Sequence, residues 1–171
     1  MKKILLIVAS IILILTFFKD ENNNLVIIPN DSIRLRVISN STDELDIKKK
    51  QELKSYLESI LYDLVKDVDS KDKINEIILE NFDDINSKIY LFLGNNNYKL
   101  DYGQNYFPSK IYKGVIYNEG IYDSIVVTLG NGKGSNWWCV LFPPLCLLDE
   151  NDTTTDVEYQ LFVSRILENF R

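Results

Sequence analysis

The spacing of the apolar residues changes near residue 87, and this change constrains the fold more than any other feature of the sequence. Between about residues 43 and 87, apolar residues recur every three or four positions, which is the spacing of one buried helix face. The pattern predicts a helix from about Asp43 to Lys66, and the polar and acidic residues at 39–44 are typical of a helix start. A second, shorter helix is predicted to begin near Ser70 and to carry Ile74, Ile77, Ile78, Phe82 and Ile85.

After residue 87, short runs of β-branched and aromatic residues alternate with turn residues. These runs predict antiparallel strands and hairpins at 88–93, 98–102, 110–117 and 121–129. Earlier in the chain, Ile33–Ile38 predicts a strand with one apolar face and one largely basic face. The tail at 157–170 predicts a strand that passes into a short helix. The elements together predict an α+β fold, with an N-terminal strand, two amphipathic helices, an antiparallel meander of short strands, and a C-terminal strand or short helix.

Residues 1–19 form a segment of a different kind. Lys2 and Lys3 precede an uncharged apolar run at 4–18, which is typical of a secretory signal peptide or of an uncleaved membrane signal-anchor. No cleavage site of the A-x-A kind ends the run, and fifteen residues are few for a membrane span. A signal peptide, a signal-anchor and a buried core helix therefore all stay open. The two lysines predict a cytoplasmic N-terminus, with everything after Lys19 outside. We therefore expect a polar spacer at 20–32 and a single extracytoplasmic α+β domain at 33–171.

The sequence contains no histidine, which excludes the common serine and cysteine catalytic sites and the histidine-based zinc sites. A formal net charge of −6 without a basic stripe argues against nucleic acid as a partner. The glycine-rich stretch at 129–136 does not match a phosphate-binding loop, and the acidic stretch at 149–156 does not match a calcium loop. General acid–base catalysis would therefore have to come from carboxylates, lysine or tyrosine, and the sequence predicts no metal or cofactor site.

The segment 132–146, with the sequence GKGSNWWCVLFPPLC, is the most unusual part of the chain. It contains both tryptophans and both cysteines of the protein, and two of its four prolines. Such a segment is either a core strand with its turn or a protruding contact patch. Outside the membrane, Cys139 and Cys146 could form a disulfide across the Pro143-Pro144 turn, whereas two buried free thiols are the alternative.

Two further features remain open from the residues alone. The alternating Gly130, Gly132 and Gly134 predict a turn that needs positive φ or a close approach of two backbone segments, and this turn could also present a binding surface. Arg34 and Arg36 lie on one face of the first predicted strand, where they could pair with helix carboxylates or contact a partner.

Three blocks of the chain resemble the stage II sporulation protein R family. They are IRLRVISNS at 33–41, the FPSKIY and YNEGIYDSIVVTLG stretches within 107–130, and GKGSNWWCVLFPPLC at 132–146. The resemblance covers about residues 31–170. It departs from the family at 117–120, which reads YNEG where YPAG is usual, and at Ser135, where alanine is commoner.

The resemblance implies an exported sporulation signalling protein. In that family the protein is made in the forespore and exported into the space between the forespore and mother-cell membranes. There it activates a membrane-embedded aspartic protease, the sigma-E processing peptidase, which removes the pro-sequence of the sigma-E precursor. The protein would act as a ligand of the protease and not as an enzyme, and it would be secreted or held at the membrane by its N-terminal segment.

The resemblance also implies a candidate partner-binding site in the signature motif. Its residues are Lys133, Ser135, Asn136, Trp137, Trp138, Phe142, Pro143 and Pro144, together with the disulfide candidates Cys139 and Cys146 and a second signature block of Arg34, Arg36 and Asn40. We expect both tryptophans and the cysteine loop to form or support one rigid face. The alternative from another class is a cell-wall-facing glycan-binding module or a carboxylate-based hydrolase, with the tryptophans stacking on sugar rings.

Overall fold

A computed structural model describes residues 26–94, 97–145 and 155–170. These residues form seven strands and four helices, so the predicted α+β class is confirmed. The predicted export segment at 1–19 lies outside the described residues. Within the part of the chain that the structure describes, no helix has the length and apolar character needed to cross a membrane.

Three helices follow one another near the start of the fold: α1 is Glu44–Val65, α2 is Lys71–Glu80 and α3 is Phe82–Leu93. Helix α1 matches its prediction, because the apolar residues that recur every four positions along it are buried: Leu53, Leu57, Leu61 and Val65. The prediction of one further helix is wrong, since the chain leaves helical geometry at Asn81 and begins again at Phe82. The Asn81 side chain stabilises this break by donating from Nδ2 to the Ile77 carbonyl at 2.8 Å.

The predicted strand at 88–93 is wrong, because these residues form the last turns of α3. Ile85, Ile89 and Leu93 are all buried, and their spacing of four places them on one face of the helix against the core. The run has the composition of a strand, and a short apolar run does not by itself separate the two periods. Gly94, with φ of 62°, ends the helix.

The main sheet has four strands. They are β2 (Ile33–Ile38), β3 (Tyr98–Phe107), β6 (Gly120–Leu129) and β7 (Asn136–Phe142), in the order β3-β6-β2-β7. Strands β3 and β6 are antiparallel, as predicted, but β2 lies parallel to β6 and antiparallel to β7. The meander is therefore interrupted, because β2 inserts between strands that are later in the sequence. The three helices cover one face of this sheet and share its larger apolar core.

A smaller sheet and the last helix lie on the other side. Strands β1 (Val26–Ile27), β5 (Val115–Tyr117) and β4 (Lys110–Tyr112) form this sheet in that order. Helix α4 (Asp156–Asn169) packs there in a second apolar cluster that includes Val140 of β7. The predicted strand at the start of the tail is wrong. Thr155 and Glu158 form a capping box that begins a helix at that point.

The packed part of the chain begins before the predicted domain boundary at residue 33. Val26 and Ile28 are buried in the second cluster, and β1 pairs with β5 in parallel. Ser32 is also buried, where its hydroxyl accepts a hydrogen bond from Arg34. The residues from 26 to 32 are thus part of the folded domain. The spacer was predicted from the acidic and asparagine residues at 20–24 and from Pro29, which outweighed the apolar Val26, Ile27 and Ile28.

Tyr102 on β3 should give the fold a pH dependence in the alkaline range. Burial of its hydroxyl, with a smaller contribution from the Asp123 carboxylate, raises the pKa of Tyr102 from 10.0 to about 12. The hydroxyl also donates to Asn75 Oδ1 on α2. The folded state therefore holds the proton more tightly than the unfolded chain. The stabilisation is complete below pH 10 and is lost as the pH rises through about 12.

Equilibrium unfolding measured across this pH window checks the prediction. The free energy of unfolding should fall with increasing pH, and Tyr102→Phe should flatten the slope because it removes the titrating group. An unchanged slope in the Tyr102→Phe protein would contradict the assignment.

Candidate functional site

The strand in the signature block at 33–41 and the strand in the block at 132–146 are neighbours in the structure. Strand β2 pairs with β7, so that Leu35 lies opposite Cys139 and Arg36 lies opposite Trp138. Residues that are about a hundred positions apart in sequence thereby lie side by side in the sheet. The sequence blocks at 33–41 and 132–146 therefore form one structural unit.

The two tryptophans lie on opposite faces of the sheet, because adjacent residues of a strand alternate. Trp137 lies on the helix side, where the Lys54 ammonium is 5.3 Å from its ring centroid. Trp138 lies on the other side, where its ring is 5.1 Å from the ring of Phe107. Both side chains are half-buried. The expected single face that both tryptophans present is replaced by an edge with one tryptophan on each side.

The two arginines of β2 contact aromatic rings. Arg36 lies 4.5 Å above the Trp138 ring and donates from Nε to Asn136 Oδ1 at 2.8 Å. Arg34 is only 3% exposed and lies 4.2 Å from the Tyr122 ring centroid. Among the described residues, neither guanidinium forms an ion pair with a carboxylate, which was one of the two predicted alternatives. Their charges are balanced in part by the electron-rich ring faces.

Arg34 is electrostatically unusual. Burial lowers its pKa, and the neighbouring tyrosines oppose this shift only partly. Nε donates to Ser32 Oγ at 2.9 Å, but the buried Nη2 has no hydrogen-bond acceptor among the described residues. A buried donor without an acceptor destabilises the fold. Burial also lowers the pKa of Arg36, whose guanidinium is less enclosed.

The glycine turn before β7 has the geometry that the sequence predicts. Gly130 and Gly132 have φ of 53° and 63°, which glycine adopts without strain. Gly134 has no positive φ, but it lies directly against the backbone of Ser41. The predicted positive φ and close backbone approach are both confirmed.

Asn40 holds this turn to the start of α1. Its Oδ1 accepts from the Asn131 amide at 3.0 Å, and its backbone carbonyl accepts from the Lys133 amide at 3.0 Å. Its Nδ2 donates to Asp46 Oδ2 at 2.8 Å. Hydrogen bonds to Asp46 from the Ser41 hydroxyl and, next, from the Asn40 amide lower the pKa of Asp46. Asn40 therefore acts as a structural link between the two signature blocks.

Lys50 is a contributor that the sequence reasoning missed. It lies on α1, is 5% exposed, and donates from Nζ to Ser135 Oγ at 2.5 Å. The hydroxyl of Ser135, a position where alanine is commoner in the family, thus accepts a hydrogen bond from the ammonium of the buried Lys50. A lysine three positions before the buried Leu53 is a signal that could have found it, since both lie on the core face of α1.

A cleft of about 370 Å³ lies along β7. It contains residues of all three blocks that carried the resemblance. On one side it is lined by α1, through Gln51, Lys54 and Glu58. On the other it is lined by residues from Phe107 to Tyr117 and by Tyr159 of α4. From the signature residues it includes Arg34, Asn136, Trp137, Trp138 and Cys139.

The other predicted site residues lie outside the cleft. Phe142 and Pro143 are buried behind it, and the Phe142–Pro143 peptide bond is cis. The Phe142 ring packs edge-on against Phe170 at 5.3 Å. Pro144 is half-buried, whereas Lys133 and Ser135 are exposed. Arg36 and Asn40 support the cleft from behind through Asn136 and the glycine turn.

Cys139 is buried at 4% exposure and carries a bonded sulfur rather than a free thiol. Its predicted partner, Cys146, lies outside the described residues. The pairing of these two cysteines therefore stays a proposal. In the described ranges, no cluster of acidic residues and cysteine could hold a metal ion.

The sequence model for stage II sporulation protein R matches residues 29–152. The chain belongs to this family. A relative described as "Stage II sporulation protein R" from Bacillus subtilis (strain 168) is 36% identical over 128 residues. That alignment covers 72% of this chain and 57% of the relative, so the chain spans little more than half the relative's length. No solved structure matches the chain.

The family match includes every described residue that lines the cleft except Tyr159. Membership supports a role in sporulation signalling and a location related to the forespore. What the arrangement offers chemically is a set of ring faces, cations and strand edge, which are binding groups. Among the described residues that line the cleft, Glu58 is the single carboxylate, and it pairs with Lys54 at 3.7 Å.

Proposed function

We propose that this chain is the exported signal that activates a membrane-embedded aspartic protease, which then processes the sigma-E precursor in the neighbouring compartment. The observation that carries the proposal is the convergence of the three family blocks on one cleft at the edge of the sheet. Buried packing alone would explain the apolar residues of these blocks, but not a cleft lined by two half-buried tryptophans. Tryptophans are favoured anchors in protein interfaces.

Activation requires a difference in affinity. The chain must bind the active state of the protease better than the resting state, since equal binding shifts no equilibrium. A shift from about 1% to about 99% active needs roughly a 10⁴-fold difference. The rigid support of the cleft by Asn40, Arg36 and the glycine turn favours such discrimination, because a preorganised surface loses little entropy on binding.

Export is the second part of the proposal. The apolar run at 4–18, with its preceding lysines, would direct the domain across the cytoplasmic membrane. In that oxidising setting, Cys139 and Cys146 would form the disulfide that closes the loop after β7.

A thiol count on the exported, natively folded protein should find no free thiol, and two free thiols would contradict the pairing.

The hydrolase alternative has little support from the cleft. Hydrolysis of a glycosidic bond ordinarily uses two carboxyl groups on either side of the scissile bond. Of the described lining residues only Glu58 carries one, and its ion pair with Lys54 occupies it. A cell-wall lysis assay with the purified protein should therefore show no activity.

Reconstitution of precursor cleavage tests the proposed function. The membrane protease and the sigma-E precursor are co-expressed in a non-sporulating bacterium, with and without the full chain. We expect cleaved sigma factor only when the chain is present with its export segment. A variant lacking residues 2–18 should abolish cleavage, because the domain would stay in the wrong compartment. Cleavage that is equal without the chain would overturn the proposal.

A further inference from the structure

Among the described residues, β7 is an edge strand of the main sheet. The Ser39 amide donates to the Ser135 carbonyl at 3.1 Å, which fixes the alternation of this antiparallel pair. The Ser135 carbonyl and the backbone groups of Trp137 are therefore directed toward β2. Asn136 and Trp138 direct theirs to the opposite side, away from the sheet. This edge presents amide and carbonyl groups that can pair with another strand.

The cleft follows this edge. Its walls are α1 on the side of Trp137 and the β4–β5 hairpin on the side of Trp138. A strand added beside β7 would place alternate side chains toward these two walls. Lys54, which pairs with Glu58, lies on the first wall, and Lys110 lies on the second. The site thus combines a backbone template with pockets for side chains of both faces.

The charge of the cleft is opposite to that of the protein. The whole chain has a net charge of −6, whereas the described lining residues include Arg34, Lys54 and Lys110 against Glu58 alone. Lys110 is exposed, and among the described residues it contacts no carboxylate. Arg34 adds a stronger indication, because its buried Nη2 has no acceptor. A carboxylate that enters from the cleft would supply the missing acceptor.

We propose that the outer edge of β7 binds an extended, acidic segment of a protein partner by strand addition. Backbone hydrogen bonds to Asn136 and Trp138 would supply affinity, and carboxylates facing Lys110 and Arg34 would supply specificity. A free anion or a lipid headgroup could use the cations but not the strand edge. The binding itself does not depend on protease activation, although the identification of the partner as the protease rests on the proposed function.

Peptide probes test the inference on the full chain. The first probe is a short acetylated peptide of alternating valine and glutamate, and its matched control has lysine in place of glutamate. We expect the glutamate peptide to bind at least about tenfold more tightly. Hydrogen exchange should show new protection at the Asn136 and Trp138 amides. The Leu100 and Tyr102 amides, which face outward from the other edge strand β3, should stay unchanged.

Backbone methylation of the peptide separates strand addition from simple charge attraction. Methyl groups on the amides that face β7 should weaken binding about tenfold, because two hydrogen bonds are lost. Methyl groups on the alternate amides should have little effect. Equal effects from both methylation patterns, or no binding at millimolar peptide, would overturn the inference.

A charge reversal on the surface provides the protein-side control. Lys110→Glu should weaken binding of the glutamate peptide by about fivefold or more, whereas Lys99→Glu on β3 should change it less than twofold. Both side chains are exposed, so both variants should fold. Equal effects of the two variants would contradict the site. Peptide binding without activation in the reconstituted system would instead contradict the proposed function and leave this inference standing.

Discussion

Gly134→Ala should destabilise the domain by about 3 kcal/mol, at the upper end of the usual cost of overpacking. An added Cβ would lie 2.6 Å from the carbonyl carbon of Ser41, and closer still to the Ser41 oxygen and to Ser39 Oγ. A flexible side chain could move aside, but the Ser41 carbonyl belongs to the backbone that leads into α1. The Gly134 amide also donates to the Ser39 carbonyl at 2.9 Å, which holds the two segments together.

Chemical denaturation of the wild type and the variant measures this effect. For a domain of this size, about 3 kcal/mol corresponds to a fall in melting temperature of roughly 10 °C. The matched control is Gly103→Ala on β3, where an added Cβ has nothing within 4 Å. It should change the stability by less than about 0.5 kcal/mol. Equal stabilities of the two variants would show that the contact between the signature blocks is not close-packed.

Trp138→Ala should lower sigma-E precursor processing about 30-fold at limiting amounts of the chain. Central tryptophans of interfaces typically contribute 2 kcal/mol or more, and each 1.4 kcal/mol corresponds to a factor of ten. The Trp138 ring lies between Arg36 and Phe107 and lines the cleft. Its removal would take away the ring face and also release the Arg36 guanidinium. Trp138→Phe keeps an aromatic ring and should retain part of the activity.

The control for this prediction is Tyr106→Ala. Tyr106 is an aromatic residue that is 58% exposed on β3, at the opposite edge of the sheet. It should leave processing unchanged, since it does not line the cleft. Circular dichroism and export must be equal in all variants for the comparison to apply. If processing by folded, exported Trp138→Ala protein equals that of the wild type, the cleft is not the activating surface.

The main core could be predicted from the sequence with few errors. The alternation of Ile33, Leu35 and Val37 and the helical spacing of Leu53, Leu57, Leu61 and Val65 each identify one buried face, and these seven residues are all buried. The errors fall at the Asn81 break between α2 and α3, at 88–93 and at the start of the tail. At 88–93 and in the tail a short apolar run fits either period. The first continues α3 as far as Gly94, and a capping box begins α4 in the second.

The candidate site could be located but not assembled from the sequence. The signature residues identified the correct segment, but they did not reveal that Trp137 and Trp138 point to opposite sides. They also gave no indication that Arg34 is buried between tyrosines, since a basic residue on a strand is ordinarily solvated. Helical spacing places Lys50 and Lys54 in the predicted helix, but it does not indicate their contacts to Ser135 and Trp137.

The sequence by itself determined the class of fold, the segments that carry the family resemblance, and the turn that requires glycine. These properties depend on local spacing and on backbone conformation, which neighbouring residues control. The tertiary structure decided that β2 inserts between β6 and β7, and this insertion created the cleft. Pairing of strands distant in sequence depends on how whole faces pack together. No local pattern specifies that arrangement. The edge of β7 and the cations beside it, Arg34, Lys54 and Lys110, therefore come together only in the folded chain.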